Sequence, residues 1–248
     1  MINSKANGVP LLTWGANGLP HSTLFDDQYF CKENGLEETF HVSCQGNHLQ
    51  QRFAALDGKN PGTFIIVETG FGTGLNFCCA WHLWRQFAPA SWQLRFYSLE
   101  KYPMANHDLK RALDLWEPLN KYKDLLVDQY QPLPQGVGEY SFDEGRVTLA
   151  IVFDDVLKAL AMIRQLIYPH TADALFFDGF APAKNPQMWA PEVFLGAAAL
   201  SGGQTTFATF TVAGWVRRSL QAAGFLIRKD KGYGTKKHIL VGQFKAKP

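Results

Sequence analysis

The chain has 248 residues, is 46% hydrophobic and 14% aromatic, and carries 24 lysines and arginines against 22 acids, for a net charge of +2. That apolar content is enough for one well-filled core, and it excludes a disordered or low-complexity chain. No apolar run approaches the ~20 residues that span a bilayer. Asn3, Lys5, Asn7 and Trp14 interrupt the N-terminus where a secretory signal needs an unbroken apolar stretch, so a cytoplasmic protein with no membrane partner is expected.

Residues 1–60 differ in pattern from the rest. Val9 to Trp14 runs into Gly15-Ala16-Asn17-Gly18, and Asn-Gly signals a hairpin. Leu24 to Phe30 is aromatic and acidic, and Glu37 to Arg52 reads as helical or mixed. These residues are expected to form an N-terminal extension packed on a main domain of residues 61–248, with Asn60-Pro61-Gly62 at the join.

Beyond that join, strands and helices alternate. Phe64–Val67 reads as a buried parallel strand and Leu75–Gln86 as a helix. Leu94–Leu99 is the next strand, followed by a helix over about 105–115. Val147–Phe153 and Ala172–Phe177 are strands flanking a helix at Val156–Ile167. Thr205–Phe210 precedes a helix over about 212–223 that Gly224 ends, and Phe225–Arg228 and His238–Phe244 complete the sheet. The pattern predicts an α/β fold with a mostly parallel sheet and helices on both faces, in which ligands bind beyond the carboxyl ends of the strands.

Residues at those strand ends carry the chemistry. Glu68-Thr69-Gly70-Phe71-Gly72-Thr73-Gly74-Leu75-Asn76 follows the first strand. Its glycines permit a tight turn and a close approach of backbone to ligand, ahead of a helix N-terminus with free N–H groups. The G-x-G-x-G spacing departs from the G-x-G-x-x-G of dinucleotide folds. An acid two residues before the first glycine repels a pyrophosphate but suits a cationic ligand such as S-adenosylmethionine. Glu100-Lys101 ends the second strand, where an acid accepts hydrogen bonds from ribose hydroxyls. Asp154-Asp155 ends the third, in reach of an adenine amino group. The expected cofactor residues are Glu68, Gly70, Phe71, Gly72, Gly74, Asn76, Glu100, Lys101 and the Asp154-Asp155 pair, in a Rossmann-like class I S-adenosylmethionine-dependent methyltransferase fold.

The fourth strand runs into Phe177-Asp178-Gly179-Phe180-Ala181-Pro182-Ala183-Lys184-Asn185-Pro186-Gln187-Met188-Trp189, which reads as an acceptor pocket. Phe180 and Trp189 are candidates to stack on a base, with core packing the competing reading. Lys184 is either a phosphate contact or a solvated lysine. From Trp215 onward there are nine bases and one acid, a net of +8, which leaves −6 over the preceding 214 residues. That basic end, with Arg217, Lys236 and Lys237, suits a polyanion. Cys31, Cys44, Cys78 and Cys79 have no zinc spacing and the seven histidines are scattered, so no metal site is expected.

The strings IIVETGFGTGLNFCC (65–79), FDGFAPAKNPQMW (177–189) and FATFTVAGWVRR (207–218) resemble the methyltransferase domain of the MnmC family. So do Gly232-Tyr233-Gly234 with Lys236-Lys237, and, near the N-terminus, Asp26-Asp27-Gln28-Tyr29-Phe30, Gly35-Leu36-Glu37-Glu38-Thr39 and Gly46-Asn47-His48-Leu49. The resemblance covers nearly the whole chain. It implies methyl transfer from S-adenosylmethionine to the aminomethyl group of a tRNA wobble uridine in the anticodon loop, with Glu68, Gly70, Gly72, Gly74, Glu100 and Asp155 holding the cofactor and Asp178 facing the reacting amine. Two departures stand out. The family has Gly-Asp where this chain has Asp154-Asp155, and it continues into a flavin-dependent oxidoreductase domain where this chain ends at Pro248. On that reading the chain performs the methylation alone and other tRNA-modifying enzymes supply the amine. Competing readings are an N-methyltransferase of another acceptor, a relative using decarboxylated cofactor, and a non-catalytic RNA-binding module.

Overall fold

The computed structural model describes residues 5–6, 9–10, 12–16, 18–30, 35–234 and 236–245. Asn3, Asn7, Asn17, Cys31 and Pro248, named in the sequence reading, lie outside them. An eight-stranded sheet organises the fold: β1 (Thr63–Thr69), β2 (Gln93–Leu99), β3 (Gly136–Phe142), β4 (Val147–Phe153), β5 (Ala172–Phe177), β6 (Ser201–Thr209), β7 (Phe225–Lys231) and β8 (His238–Phe244). Its spatial order is β7-β8-β6-β5-β1-β2-β4-β3. The five central strands are parallel, and β3, β8 and β7 add antiparallel edges.

The apolar runs at the centre follow from burial on both faces. Along β1, Phe64 and Ile66 point into one core layer, with Trp81, Trp84 and Phe96. Ile65 and Val67 point into the other, with Leu160, Ile163 and Phe194. The first layer is covered by α3 (Leu75–Phe87), α4 (Asn106–Leu113) and α5 (Asn120–Gln129), and the second by α6 (Val156–Ile167), α7 (Pro191–Ala199) and α8 (Gly214–Ala222). Each fully buried large side chain in these layers contributes about 1.5–3 kcal/mol of transfer free energy.

Three elements are additional to those read from the sequence. In β3, Gly138, Tyr140 and Phe142 alternate with exposed residues, the period-2 pattern of an edge strand. The short helices α5 and α7 lie in stretches to which the sequence reading assigned no element.

The N-terminal region contributes two kinds of structure. Leu12–Trp14, Pro20–Ser22 and Asp27–Gln28 form a small antiparallel sheet, its first turn closed by Gly15 N–H to Leu19 O at 3.0 Å. Trp14 ties it to α4, donating to Asp108 at 2.9 Å with the Arg111 guanidinium 4.0 Å over its ring. A short helix α1 (Gly35–Thr39) then passes into a π-helical turn, Phe40–Gln45, and on to α2 (Leu49–Ala54). Leu49 and Phe53 are fully buried, and Phe53 packs edge-on against Phe64 and Trp84, so these residues share the core of the sheet.

Strand order reverses between β1 and β5. Their carboxyl ends, Thr69 and Phe177, are paired in register, which sets Gly70 beside Asp178. This crevice is where α/β sheets of this type bind ligands.

Candidate active site

A cavity of about 1250 Å³ opens at that crevice. Its floor is the loop after β1. Gly70, Gly72 and Gly74 have φ of 82°, 54° and 74°, left-handed values that side chains disfavour. A Cβ on Gly74 would lie 2.9 Å from Phe71 Cζ and 3.1 Å from Leu126 Cδ2. Phe71 lines the cavity and stacks on Tyr130 at 5.9 Å.

Glu100 faces the same cavity. One carboxylate oxygen accepts from Gly72 N–H at 2.9 Å and the other from Tyr102 N–H at 2.8 Å. Burial raises its pKa, opposed by these amide bonds. Further along, Lys101 Nζ pairs with Asp155 at 3.1 Å, and Asp155 caps α6 by accepting from Leu157 N–H at 3.3 Å. Asp154 turns to Gln135 at 2.8 Å.

Asp178 lines the cavity from the β5 side. Its Oδ1 accepts from Gly179 N–H at 2.8 Å and its Oδ2 from Asn76 Nδ2 at 2.7 Å. Burial raises the carboxyl's pKa, while Gly179, Asn76 and the Lys236 charge oppose that rise. Phe180 completes the wall, stacked on Phe25 at 4.9 Å and edge-on to Tyr29 at 5.0 Å.

Several predicted residues sit elsewhere. Glu68 is fully buried beneath the loop and contributes no cavity wall; its Oε2 accepts from Ser98 at 2.6 Å. Burial pushes its carboxyl well above the usual range, the Ser98 bond opposes this, and nearby Asp178 and Glu100 add to the rise. Asn76 lines the cavity, but its amide nitrogen is engaged by Asp178 and its oxygen by Ser43. Trp189 is a correction: at 1% exposure, with its N–H donating to Phe180 O at 2.9 Å and its ring against Phe210, it is a core residue and presents no face to a base. Lys184 is a wall residue tied to the N-terminal sheet, donating to the Asp26 carbonyl with the Asp27 carboxylate 3.7 Å away. Arg217 and Lys237 are exposed and outside the cavity. Lys236 pairs with Glu38 at 2.6 Å and lies 4.7 Å over Phe210.

A family model described as S-adenosyl-L-methionine-dependent methyltransferase matches residues 117–245, just over half of the chain and including Asp178. The chain belongs to that family. As a methyltransferase it uses S-adenosyl-L-methionine, and the cavity fits such a ligand. Five carboxylates line it, Glu100, Asp108, Asp154, Asp155 and Asp178, against two lysines that are each paired with acids. The result is an acidic cleft suited to a sulfonium and an amine, with glycine backbone in place of side chains at its floor.

Curated relatives extend the comparison to the rest of the methyltransferase. The chain is 48% identical over 237 residues to the tRNA 5-methylaminomethyl-2-thiouridine biosynthesis bifunctional protein MnmC of Pseudomonas savastanoi pv. phaseolicola, and 46% identical over 238 residues to that of Pseudomonas aeruginosa. Each match covers 96% of this chain and 35% of the relative, so the chain spans about a third of the length of these proteins. Among solved structures, MnmC2 from Aquifex aeolicus superposes with a TM-score of 0.72 at 19% identity, over 95% of this chain and 70% of that one, a likeness of fold.

The sequence reading missed Tyr29, Phe25 and Asp27 as parts of the site. Asp27 accepts from Ala181 N–H at 2.9 Å, fastening the N-terminal sheet over the acceptor loop. Its sequence signal is an acidic and aromatic cluster far from the loop it holds. Among the described residues no cluster of His, Cys, Asp and Glu has the makings of a metal site, and no helix is long and apolar enough to cross a membrane.

Proposed function

We propose that this methyltransferase acts on the amine of 5-aminomethyl-2-thiouridine at the wobble position of tRNA, giving 5-methylaminomethyl-2-thiouridine. Other tRNA-modifying enzymes supply the amine upstream, and the reaction belongs to the cytoplasm, where tRNA is. The observation that carries this reading is Asp178, a half-buried carboxylate opening into the same cavity as the glycine loop and Glu100. The similarity to proteins named for biosynthesis of that nucleoside supports the acceptor. Size supports it too: about 1250 Å³ exceeds the ~300–1,000 Å³ of an ordinary small-molecule site, leaving room for an unstacked nucleoside beside the cofactor.

Gly70, Phe71, Gly72, Glu100, Lys101 and Asp155 hold the cofactor, Glu100 toward the ribose and Asp155 toward the adenine, while Gly74, which does not line the cavity, shapes the loop from behind against Phe71 and Leu126. The cofactor supplies a methyl group on a positively charged sulfur, already activated for transfer. The remaining work is positioning. An alkylamine has a pKa of ~10.4, so its ammonium form must first give up a proton to bulk water. An aspartate is too weak a base to strip an ammonium outright. Asp178 instead accepts a hydrogen bond from the amine and stabilises the charge that grows on nitrogen. Phe180, backed by Phe25 and Tyr29, forms the apolar wall against which the base lies. Outside the cavity, exposed Arg217, Arg218, Arg228, Lys229, Lys231 and Lys237 supply positive charge for the tRNA backbone.

The test compares the wild type with Asp178→Ala on tRNA from cells that lack this methylation. The wild type should methylate the tRNA. The variant should lose at least about 100-fold in turnover while its S-adenosylmethionine Kd stays within about threefold, as expected of a group acting on the reacting centre. Equal turnover overturns the assignment.

A further inference from the structure

Asp178 does not stand alone. Its Oδ2 takes a hydrogen bond from Asn76 Nδ2 at 2.7 Å, and Asn76 Oδ1 takes one from Ser43 Oγ at 2.9 Å. Asn76 is 7% exposed and Ser43 5%. A serine hydroxyl donating to one end of the amide leaves the N–H end directed at Asp178; the flipped amide would set oxygen against carboxylate.

Ser43 belongs to the π-helical turn Phe40–Gln45, closed by a Gly46 N–H to His41 O bond at 3.1 Å. Such turns are rare and recur at functional sites. This one is clamped. Fully buried Asn47 donates to Ser43 O at 2.9 Å and to Leu175 O on β5 at 3.3 Å, and it accepts from Thr206 Oγ1 on β6 at 2.7 Å. Gly46 lies so close to the sheet that a Cβ there would meet Val42 O at 2.3 Å and Ala208 Cβ at 2.7 Å. The Gly46-Asn47 pair thus fixes the π turn to β5, the strand that leads into Asp178, and to its neighbour β6.

We infer that Ser43 and Asn76 are positioning residues for methyl transfer, a relay from the N-terminal region that holds the Asp178 carboxylate in one plane with a free lone pair on each oxygen toward the acceptor. This rests on Asp178 facing the amine. The charged groups around Asp178 are Lys236, Glu38 and Glu68, and the relay adds a neutral donor that favours the ionised carboxylate without adding charge.

The test uses the full chain with S-adenosylmethionine and methylation-deficient tRNA, comparing Asn76→Ala, Ser43→Ala, Ser43→Thr and Asp178→Ala. Loss of the donor raises the Asp178 pKa, so the ionised fraction at a given pH falls. The lower acid limb of kcat/KM, the one that Asp178 sets beneath the limb of the substrate amine, should move to higher pH in Asn76→Ala and, less far, in Ser43→Ala. Turnover at neutral pH should fall about 10- to 100-fold in Asn76→Ala. Ser43→Thr, which keeps the hydroxyl, should restore the limb. Ser43 does not line the cavity, so the cofactor Kd of Ser43→Ala should match the wild type. If Asn76→Ala does not fold, the Ser43 pair still decides. An unmoved acid limb in Ser43→Ala, with Asp178→Ala inactive, overturns the relay and leaves the Asp178 assignment standing. An active Asp178→Ala overturns both.

Discussion

Replacing Glu100 with glutamine tests how the loop after β1 holds its ligand. The carboxylate takes two backbone N–H groups, Gly72 at 2.9 Å and Tyr102 at 2.8 Å, and presents its remaining lone pairs to the cavity. A glutamine keeps the shape, but its NH₂ end must face one of those N–H groups, donor against donor. Hydrogen bonds to a charged group are worth ~1.5–3 kcal/mol. Losing one such bond from the glycine loop, or from a ribose hydroxyl, weakens cofactor binding by about 10- to 150-fold at ~1.4 kcal/mol per tenfold. Isothermal titration with S-adenosylmethionine measures this directly, and a thermal melt of the same sample separates lost affinity from lost fold. A Kd within about twofold of wild type, with an unchanged melt, would refute the reasoning, because it would mean that Glu100 neither shapes the loop nor meets the ligand.

Three other outcomes follow from the same geometry. Gly74→Ala combines a left-handed φ of 74° with a Cβ 2.9 Å from Phe71; at ~1–2 kcal/mol for the backbone and ~1–3 for the overpacking, Tm should fall by roughly 4–20 °C, and a shift under about 2 °C contradicts the clash. Glu68 has a folded pKa above the ordinary 4.5, so the folded protein holds a proton that the unfolded chain has released. Its contribution to stability therefore falls as pH rises past ~4.5 and levels off above the folded value, so the unfolding free energy of the wild type minus that of Glu68→Gln should fall across that window; a pH-independent difference contradicts the burial argument. Binding of tRNA should weaken at least about tenfold from 50 to 200 mM salt, and the double variant Arg217→Ala/Lys237→Ala should flatten that slope by ~0.7–0.9 for each phosphate that is no longer neutralised; a salt-insensitive Kd removes the basic face from the tRNA footprint.

Much of the molecule was legible because its signals are local. Buried runs at Phe64–Val67 and Ala172–Phe177 mark strands covered on both faces, and Gly70, Gly72 and Gly74 mark a turn that no other residue type adopts comfortably. The acids that end strands stand out for the same reason. What stayed hidden depends on partners far along the chain. Trp189 looks like a stacking residue until its N–H is seen to satisfy Phe180 O inside the core. Lys184 looks solvated until the N-terminal sheet, more than 150 residues earlier, closes on it. Ser43 carries no signal, since only the clamped π turn brings it to Asn76. Glycine spacing identified the cofactor class, but it did not show that Glu68 would end up beneath the loop instead of in the cavity wall.

The most direct test of the central claim is to incubate the purified protein with methyl-labelled S-adenosylmethionine and tRNA from cells lacking this methylation, digest the tRNA and identify the labelled nucleoside. The account predicts label in 5-methylaminomethyl-2-thiouridine. Label in a different nucleoside, or none despite measured cofactor binding, contradicts the proposed acceptor and leaves a methyltransferase whose substrate lies elsewhere.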